Sequence, residues 1–253
     1  MTTVVITNDD GIDSPGLAAL AAAAVAAGYD VVVAAPLGES SGTSAGLTAA
    51  AQDRRVITKE HTLPSLPDVP AYAVDAHPGL ISLAACHGAF GPVPDMLLSG
   101  INRGANVGRA VLHSGTVGAA LTASINGVRS LAVSIDVALE PTDEPHWTTA
   151  AGVVAGLLPV LVDGLPDAVL NINVPDTPPA RLKEAKWAPL APFGSVRARV
   201  ERAEDGAIQV GSVVGDEAPE PGSDAALLAE GHVTVTALRS VAEDGRMQGT
   251  LTA

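Results

Sequence analysis

Val4-Val5-Ile6, followed by Asn8-Asp9-Asp10-Gly11, opens the chain with a short run of β-branched residues that ends at an acidic turn. A continuous apolar run of this kind is typical of a strand that is buried on both faces. Ser14-Pro15-Gly16 predicts a helix start, with serine as the N-cap and proline in the first turn, and Gly28 predicts the end of that helix. The second apolar run, Asp30 to Pro36, completes a βαβ unit, which implies a parallel sheet with a right-handed crossover.

The alternation of short apolar runs with helical stretches continues through the first two thirds of the chain. Strands and helices that alternate in this way are typical of an open, doubly wound sheet. We therefore expect an α/β core with a mostly parallel sheet in residues 1–175. Its further strands are predicted at Ala71 to Val74, Met96 to Leu98, Ser130 to Ile135 and Ala168 to Val174, and its further helices at 78–90, 115–126 and 144–163.

The pattern changes after Pro175. The segment Pro175-Asp176-Thr177-Pro178-Pro179 interrupts it, and the later apolar runs are typical of antiparallel ribbons. We expect a single domain, residues 1–253, in which residues 176–253 form a β-rich arm. An arm with little apolar surface of its own is stabilised by packing on another subunit, so we expect a homo-oligomer. The runs are Val196 to Val200, Ile208 to Val214 and Val233 to Leu238.

The charge balance excludes the usual nucleic-acid binders. Fourteen Lys and Arg residues against 28 Asp and Glu residues give a formal net charge of -14, which repels a polyanion. Two Trp, two Tyr and two Phe residues are too few for a platform that stacks several successive bases. We therefore expect no polymeric nucleic acid as a partner, whereas a single nucleotide remains open.

Cysteine content and the apolar segments predict a cytoplasmic protein. The single cysteine, Cys86, cannot form an intrachain disulfide or a Cys-rich zinc site. The N-terminal residues have no basic region before their short apolar run, so they do not resemble a signal peptide. The longest alanine-rich run, Leu17 to Gly28, is about half a membrane span in length. We accordingly expect no membrane partner.

Two loops that follow predicted strands carry oxygen ligands, and ligands of an open parallel sheet bind at the carboxyl ends of its strands. In the first loop, Asp9 and Asp10 are adjacent carboxylates, which repel each other unless a cation lies between them. Hard divalent cations prefer such oxygen ligands. The second loop, Leu37 to Gly46, is rich in hydroxyl groups and glycines and can offer a further oxygen. A solvated turn and a flexible connection are the simpler alternatives.

A third loop combines amide side chains with a helix start. Ser99 to Gly108 contains Asn102 and Asn106, whose amide oxygens can bind a cation. Ser114-Gly115-Thr116 then opens a helix, where free N–H groups and the helix dipole favour a phosphate, although a plain N-cap is the alternative for Ser114. The glycine patterns of NTPase and dinucleotide sites are absent. Together the three loops predict metal-assisted hydrolysis of a phosphomonoester.

These residues resemble the signatures of the SurE family, the stationary-phase survival nucleotidases. The family pattern begins with T-N-D-D-G, continues with a loop that ends in R-S-G, and adds S-G-I-N-x-G-x-N-x-G and S-G-T-V. Later matches extend the resemblance over most of the chain. The matching segments are Thr7 to Gly11, Ser41-Gly42, Ser99 to Gly108, Ser114 to Val117, Leu170 to Pro175, Pro221 to Asp224 and Glu230 to Thr236.

The resemblance implies a Rossmann-like sheet whose C-terminal arm is exchanged between the subunits of a homodimer or homotetramer. It also implies a 5′-nucleotidase that hydrolyses nucleoside 5′-monophosphates, with 3′-monophosphates as a further option, and that holds one divalent ion per subunit, Mg²⁺ or Mn²⁺. The catalytic residues are expected to be Asp9 and Asp10, and our mechanistic hypothesis takes Asp9 as the general base, with the choice between the two aspartates left open. The implied metal ligands are Asp9, Asp10, Ser41 and Asn102, and the implied substrate contacts are Asn8, Gly42, Asn106, Ser114, Gly115 and Thr116.

Three departures from the family pattern leave other functions open. The second loop carries Glu39 and Ser40 where the family has a polar, arginine-bearing sequence. The segment Asp75 to Ser82 loses the threonine, aspartate and cysteine of the family motif, and Ile208 to Ser212 replaces an aromatic-rich strand. One alternative is a phosphatase of another small phosphomonoester or of short polyphosphate. The other is a weakly active nucleotide-binding scaffold.

Overall fold

A central mixed sheet organises the part of the chain that the computed structural model describes, residues 2–47, 55–138, 143–164, 167–193, 196–202, 208–214 and 218–241. The helices are α1 (Pro15–Ala26), α2 (Pro78–Cys86), α3 (Gly115–Ile125), α4 (Trp147–Asp163) and α5 (Asp224–Ala229). The strands are β1 (Thr3–Thr7), β2 (Asp30–Pro36), β3 (Thr58–Leu63), β4 (Leu66–Val74), β5 (Met96–Arg103), β6 (Arg129–Asp136), β7 (Ala168–Pro175), β8 (Lys183–Trp187), β9 (Val196–Arg202), β10 (Ile208–Val214) and β11 (His232–Arg239). Short 3-10 helices cover Gly108–His113 and Pro179–Arg181.

The main sheet has the strand order β3-β4-β2-β1-β5-β6-β7-β11-β8. Its six central strands, β4, β2, β1, β5, β6 and β7, are all parallel. At one edge β3 is antiparallel to β4, and at the other β11 is antiparallel to β7 and parallel to β8. The α/β class with a mostly parallel sheet is therefore confirmed. All six central strands present their carboxyl ends at the same edge, where the candidate residues lie.

Apolar layers cover both faces of this sheet. Val4 and Ile6 of β1 pack into a core with α1 and α4, whereas Val5 faces the other side and packs into a core with α2 and α3. Successive side chains of a strand point to opposite faces, so a run of three apolar residues fills both cores. This is the arrangement that the continuous apolar run predicts, and it fixes β1 at the centre of the sheet.

The C-terminal region divides between the main sheet and a separate ribbon. As predicted, β9 and β10 pair in antiparallel fashion with each other. In the described residues, β8 and β11 instead extend the main sheet, so part of segment 176–253 is continuous with the core. The predicted helices are also longer than those observed, since α2 ends at Cys86 and α4 begins at Trp147. Within the described residues, none of the helices is long and apolar enough to cross a membrane.

Candidate active site

The turn after β1 places Asp9 and Asp10 at the carboxyl edge of the sheet. Asn8 holds this turn, because its Oδ1 accepts from the Gly11 N–H at 3.2 Å and its Nδ2 donates to the Gly11 carbonyl at 3.0 Å. The side chain of Asn8 is fully buried. Asn8, which the resemblance assigns to the substrate, therefore braces the turn that carries the two carboxylates.

Asp9 is held by the start of α3. It is only 4% exposed, and the Thr116 hydroxyl donates a hydrogen bond to Asp9 Oδ1. Gly115 leaves room for this contact, since a Cβ at that position would lie 2.9 Å from Asp9 Oδ2. Burial raises the pKa of Asp9, although hydrogen bonds from Thr116 oppose the increase. Thr116, another implied substrate contact, thus orients a candidate metal ligand.

Asp10 is less buried than Asp9 and is tied to the third loop. Its Oδ2 accepts a hydrogen bond from the backbone N–H of Arg103 at 3.2 Å. Burial is the main cause that raises the pKa of Asp10 to about 6, and the neighbouring charge of Asp9 raises it further. The charge of Glu39 acts in the same direction on both aspartates. The site therefore concentrates negative charge that a cation would neutralise.

Asn102 lies on the irregular end of β5 and directly precedes Arg103, whose N–H contacts Asp10. The pairing of β5 with β6 shifts in register between Ser99 and Asn102, and such an irregularity re-aims side chains at the end of a strand. The Asn102 amide nitrogen donates to the Gly104 carbonyl at 2.7 Å. Because its nitrogen is engaged there, Oδ1 is the atom that suits a cation.

The second loop approaches the aspartates through its backbone. The Ser40 N–H donates to the Asp9 carbonyl at 2.7 Å, which ties this loop to the first. The Ser41 hydroxyl, however, donates to Glu39 Oε1 at 2.8 Å, and both Ser41 and Gly42 are exposed. This hydrogen bond uses the hydroxyl hydrogen of Ser41 and leaves its oxygen lone pairs available to a cation. The family resemblance alone does not reveal this hydrogen bond to Glu39.

Ser114 is the N-cap of α3, and its hydroxyl accepts from the Val117 N–H at 3.1 Å. The second loop packs against the same helix start: Ser44 Oγ donates to the Leu112 carbonyl at 2.7 Å, and the Ser44 N–H donates to the His113 carbonyl at 3.3 Å. The three predicted loops are therefore brought together. His113 itself is exposed beside the start of α3.

Asn106 is locked by a buried polar network that the sequence reasoning did not assign. Its amide nitrogen donates to Ser134 Oγ at 2.9 Å, and its backbone N–H donates to Asn173 Oδ1 at 2.7 Å. The amide nitrogens of Asn171 and Asn173 both donate to the Asn106 carbonyl at 2.9 Å. The sequence signal for this network was the pair Asn171 and Asn173 in the otherwise apolar strand β7. Both side chains are fully buried, and buried polar side chains need hydrogen-bond partners.

Asp224 anchors the third loop from the C-terminal region. Its fully buried carboxylate accepts from the Gly108 N–H and the Ala191 N–H, each at 2.8 Å. It also accepts from the N–H of Ala225, the next residue, at 2.8 Å. The carboxylate therefore joins helix α5 to the loop that carries Asn102 and Asn106. In the sequence, Asp224 is marked only by its place in the segment Pro221 to Asp224, which matches the family pattern. Its contact with Gly108 could not be predicted, because the two residues are 116 positions apart.

The donor set fits a hard divalent cation rather than a softer one. The set comprises two adjacent carboxylates with raised pKa values and the amide oxygen of Asn102, and these are ligands that Mg²⁺ or Mn²⁺ prefers. Among the described residues no three His, Cys, Asp or Glu side chains group around a common point. A cation here would consequently use Asn102 and a hydroxyl or water to complete its coordination.

Comparison with known proteins gives a consistent result over most of the chain. The sequence model of the family described as "Survival protein SurE" matches residues 4–194. The 5′-nucleotidase SurE of Dehalococcoides mccartyi is 36% identical over 206 residues, which cover 80% of this chain and 73% of the relative. The 5′-nucleotidase SurE of Geotalea uraniireducens is 33% identical over 240 residues, which cover 93% of this chain and 92% of the relative.

A solved structure extends the similarity to the fold. The crystal structure of the SurE protein from Aquifex aeolicus aligns with a TM-score of 0.80 at 26% sequence identity. The alignment covers 98% of each chain. The likeness therefore includes the C-terminal region as well as the parallel core that carries the two aspartates.

Proposed function

Because this chain belongs to the SurE family, we propose that it is a divalent-metal-dependent phosphatase that hydrolyses nucleoside 5′-monophosphates to a nucleoside and phosphate. The observation that carries this proposal is the Asp9–Asp10 pair at the end of β1, whose carboxyl pKa values are both raised by burial. Such a pair, beside an amide oxygen and a helix start, suits a cation and a phosphate together. The relatives named 5′-nucleotidase supply the substrate class.

The metal ligands in this proposal are Asp9, Asp10, Asn102 and Ser41. When bound, one Mg²⁺ or Mn²⁺ ion per chain supplies Lewis-acid activation of the attacking water and neutralises charge on the phosphoryl group. Thr116 contributes by holding Asp9 Oδ1, and the Arg103 N–H contributes by holding Asp10 Oδ2. Groups that orient ligands in this way strengthen metal binding.

The phosphate is assigned to the start of α3 and to Asn106. The N-terminal end of a helix favours an anion through its free N–H groups and its dipole, and here Ser114 is the N-cap while Gly115 and Thr116 begin the first turn of α3. The network around Asn106 fixes this side chain in one position before the substrate arrives. Fixed donors cost no reorganisation during the reaction. Gly42, exposed in the second loop, is a further backbone contact in this proposal.

The two aspartates differ in a way that favours Asp10 as the proton acceptor, whereas the hypothesis from the sequence named Asp9. Asp9 is nearly fully buried and accepts a hydrogen bond from the Thr116 hydroxyl. Asp10 is more accessible and lines an open cavity. A base that accepts a proton from an attacking water has to be reached by that water. We therefore assign orientation of the metal chiefly to Asp9 and the proton to Asp10.

Phosphate release from chelator-treated protein tests the function. We expect hydrolysis of AMP after addition of Mn²⁺ or Mg²⁺, and none without added metal. Ribose 5-phosphate and tripolyphosphate serve as comparison substrates, because release from these alone would replace the nucleotidase with a phosphatase of another substrate class. No release with any metal and any substrate would leave a nucleotide-binding scaffold. Asp68→Asn, an exposed carboxylate on β4, is the matched control for substitutions at Asp10.

A homodimer or homotetramer is the assembly that we propose. Among the described strands, β9 and β10 pair only with each other, and Trp187 and Phe193 are 62% and 64% exposed. A two-stranded ribbon alone has marginal stability in water, so packing on a second subunit would stabilise it. Light scattering coupled to size-exclusion chromatography distinguishes the states, and a monomer at micromolar concentration would refute this assignment.

A further inference from the structure

The second loop is fixed against the turn that carries the two aspartates. A Cβ on Gly11 would lie 3.2 Å from the Gly38 backbone, so the two chain segments touch with no side chain between them. The Ser40 N–H donates to the Asp9 carbonyl at 2.7 Å. Glu39 lies between Gly38 and Ser40, so its backbone is held beside the candidate metal site.

The side chain of Glu39 contacts a candidate metal ligand. Its Oε1 accepts a hydrogen bond from the Ser41 hydroxyl at 2.8 Å. A hydrogen bond to a charged acceptor is stronger than one between neutral groups, so the carboxylate fixes the direction of this hydroxyl. The hydrogen then points to Glu39, and the lone pairs of the Ser41 oxygen stay available to a cation. Within the described residues, Glu39 and the two aspartates do not form a three-carboxylate cation site, so Glu39 acts on a ligand.

Glu39 also adds negative charge to the site. Burial is the main cause of the raised pKa values of Asp9 and Asp10, and the charge of Glu39 contributes to both. Arg103 acts in the opposite direction on Asp10. No lysine or arginine precedes Arg54 in the sequence, so the first two loops bring carboxylates and no cationic side chain. The negative charge near the two aspartates therefore exceeds that of the aspartates themselves.

We propose that Glu39 is a positioning residue for the metal, which directs the Ser41 oxygen to the ion and adds a third negative charge that raises the affinity for a divalent cation. The inference rests on the metal site of the proposed function and assigns to it a residue outside the ligand set. The resemblance does not imply this role, because the family pattern has a polar, arginine-bearing sequence in this loop. A tighter hold on the cation is thus a property of this chain's own second loop.

Titration of the chelator-treated, full-length protein with Mn²⁺, followed by electron paramagnetic resonance, tests the inference without turnover. Glu39→Gln keeps an acceptor for Ser41 and loses the charge, so the Kd for Mn²⁺ should rise about fivefold at about 0.05 M KCl, the order of effect of one exposed charge pair. Glu39→Ala loses the acceptor as well, and its Kd should rise about 20-fold. Glu184→Gln, which changes an exposed carboxylate on β8, is the matched control and should keep the wild-type Kd.

Salt and a second substitution separate the two contributions of Glu39. At about 1 M KCl exposed charges are screened, so the Kd of Glu39→Gln should come within about twofold of the wild type at the same salt concentration. Glu39→Ala should remain weaker, because the hydrogen bond to Ser41 is local. In a Ser41→Ala background, the effect of Glu39→Ala at low salt should shrink to about fivefold, since that hydrogen bond is already absent.

A wild-type Kd in either Glu39 variant at low salt overturns the inference. An undiminished effect of Glu39→Ala in the Ser41→Ala background overturns it as well, because Glu39 would then not act through Ser41. The proposed function fails separately. A protein that binds Mn²⁺ with the expected dependence on Glu39 but releases no phosphate from AMP would keep the role of Glu39 and lose the nucleotidase assignment.

Discussion

Two pairs of aspartates lie at the carboxyl edge of the same sheet, and their surroundings differ. Asp9 and Asp10 follow β1, whereas Asp136 ends β6 and Asp176 follows β7. Burial raises the pKa of Asp10, and the charge of Asp9 raises it further. The pKa of Asp136 is raised in the same way, by desolvation first and then by the charge of Asp176, although the side chain keeps contact with solvent. The electrostatic signature of the two pairs is thus similar.

The neighbours of each pair decide what it can do. Asp9 accepts from the Thr116 hydroxyl and Asp10 accepts from the Arg103 N–H, which follows Asn102 in the chain, so this pair has a further amide oxygen close in sequence that can complete a cation site. Asp176 instead accepts the N–H of His146 and lies against its ring, so this carboxylate holds the start of α4. Repulsion between carboxylates is therefore insufficient to identify a metal site. The additional oxygen donors are what distinguish the first pair.

Loss of one carboxylate should have the largest effect on activity at the Asp9–Asp10 pair and little effect at the Asp136–Asp176 pair. Asp10→Asn should lower kcat/KM for AMP by at least about 10³-fold at the Mn²⁺ concentration that saturates the wild type, because it removes a charged group that the reaction centre needs to hold the metal. Asp136→Asn removes a carboxylate of comparable setting and should keep the wild-type activity. Steady-state phosphate release measures both variants. Full activity in Asp10→Asn, or its loss in Asp136→Asn, would reverse the assignment.

Removal of the hydrogen bond from Thr116 to Asp9 should lower the Mn²⁺ affinity of the Asp9–Asp10 pair and leave the Asp136–Asp176 pair unchanged. Thr116→Val keeps the shape of the side chain and loses the hydroxyl, so Mn²⁺ affinity should fall between about 10- and 100-fold, as for other groups that orient metal ligands. Thr122→Val is the matched control on the same helix, where the hydroxyl donates to the Gly118 carbonyl at 2.7 Å. Titration calorimetry gives both affinities. Equal affinities in the two variants would show that Thr116 does not support metal binding.

The pH dependence of the free energy of unfolding should reveal the raised pKa of Asp10 in the Asp9–Asp10 pair. Because the pKa of Asp10 is raised from 3.8 to about 6, the folded protein binds more protons than the unfolded chain in that interval. The metal-free protein should therefore lose stability as the pH rises from 4 to 6, by at most about 3 kcal/mol from this group. Thermal unfolding measures the trend.

Saturating Mn²⁺ should reverse this trend, since the deprotonated carboxylates bind the ion. Asp10→Asn should flatten the metal-free curve and abolish the response to Mn²⁺. Asp136→Asn should keep the response to Mn²⁺, because the second pair is not expected to bind metal. A metal-free Tm that rises through the same pH interval would contradict the account.

The second pair should respond to loss of its histidine with a small change in stability. His146→Ala removes the ring beside Asp176 and should cost about 1 kcal/mol, the usual contribution of one hydrogen bond. Mn²⁺ affinity should stay at the wild-type level. Urea unfolding and titration calorimetry provide the two values. A large loss of Mn²⁺ affinity would mean that the two pairs act as one site.

The sequence predicts the positions of both candidate aspartates, Asp9 and Asp10, because their signals are local. An apolar run, an acidic turn and a helix start stand within the first 16 residues, and they specify β1, its carboxyl end and α1. The strand ends that carry Asn102 and Asn106 follow from the same alternation. Parallel strands bring such loops to one edge, so their proximity is also predictable.

Contacts between distant residues are less predictable. Thr116 is 107 residues from Asp9, and nothing local to the start of α3 shows that its hydroxyl serves a carboxylate rather than a phosphate. Ser41 fits the family pattern, but its bond to Glu39 depends on a residue that departs from that pattern. Side-chain partners of this kind are settled by packing, which the sequence pattern does not encode.

Strand pairing at the two edges of the main sheet is also difficult to predict from the sequence. β3 contains Lys59, Glu60 and His61 and lacks a strong apolar pattern, so only its pairing with β4 makes it a strand. β11 has the predicted β-strand composition, but the sequence alone did not indicate whether it joins β7 or a separate arm. Strand pairing is set by register and burial across the sheet, beyond the reach of local periodicity.

The most direct measurement of the central claim is the number of Mn²⁺ ions that each chain binds, determined by electron paramagnetic resonance during a titration of chelator-treated protein. The account predicts one saturable site per chain in the wild type and in Asp136→Asn, and none in Asp10→Asn. Absence of a saturable site in the wild type, or a site that survives Asp10→Asn and disappears in Asp136→Asn, would contradict it.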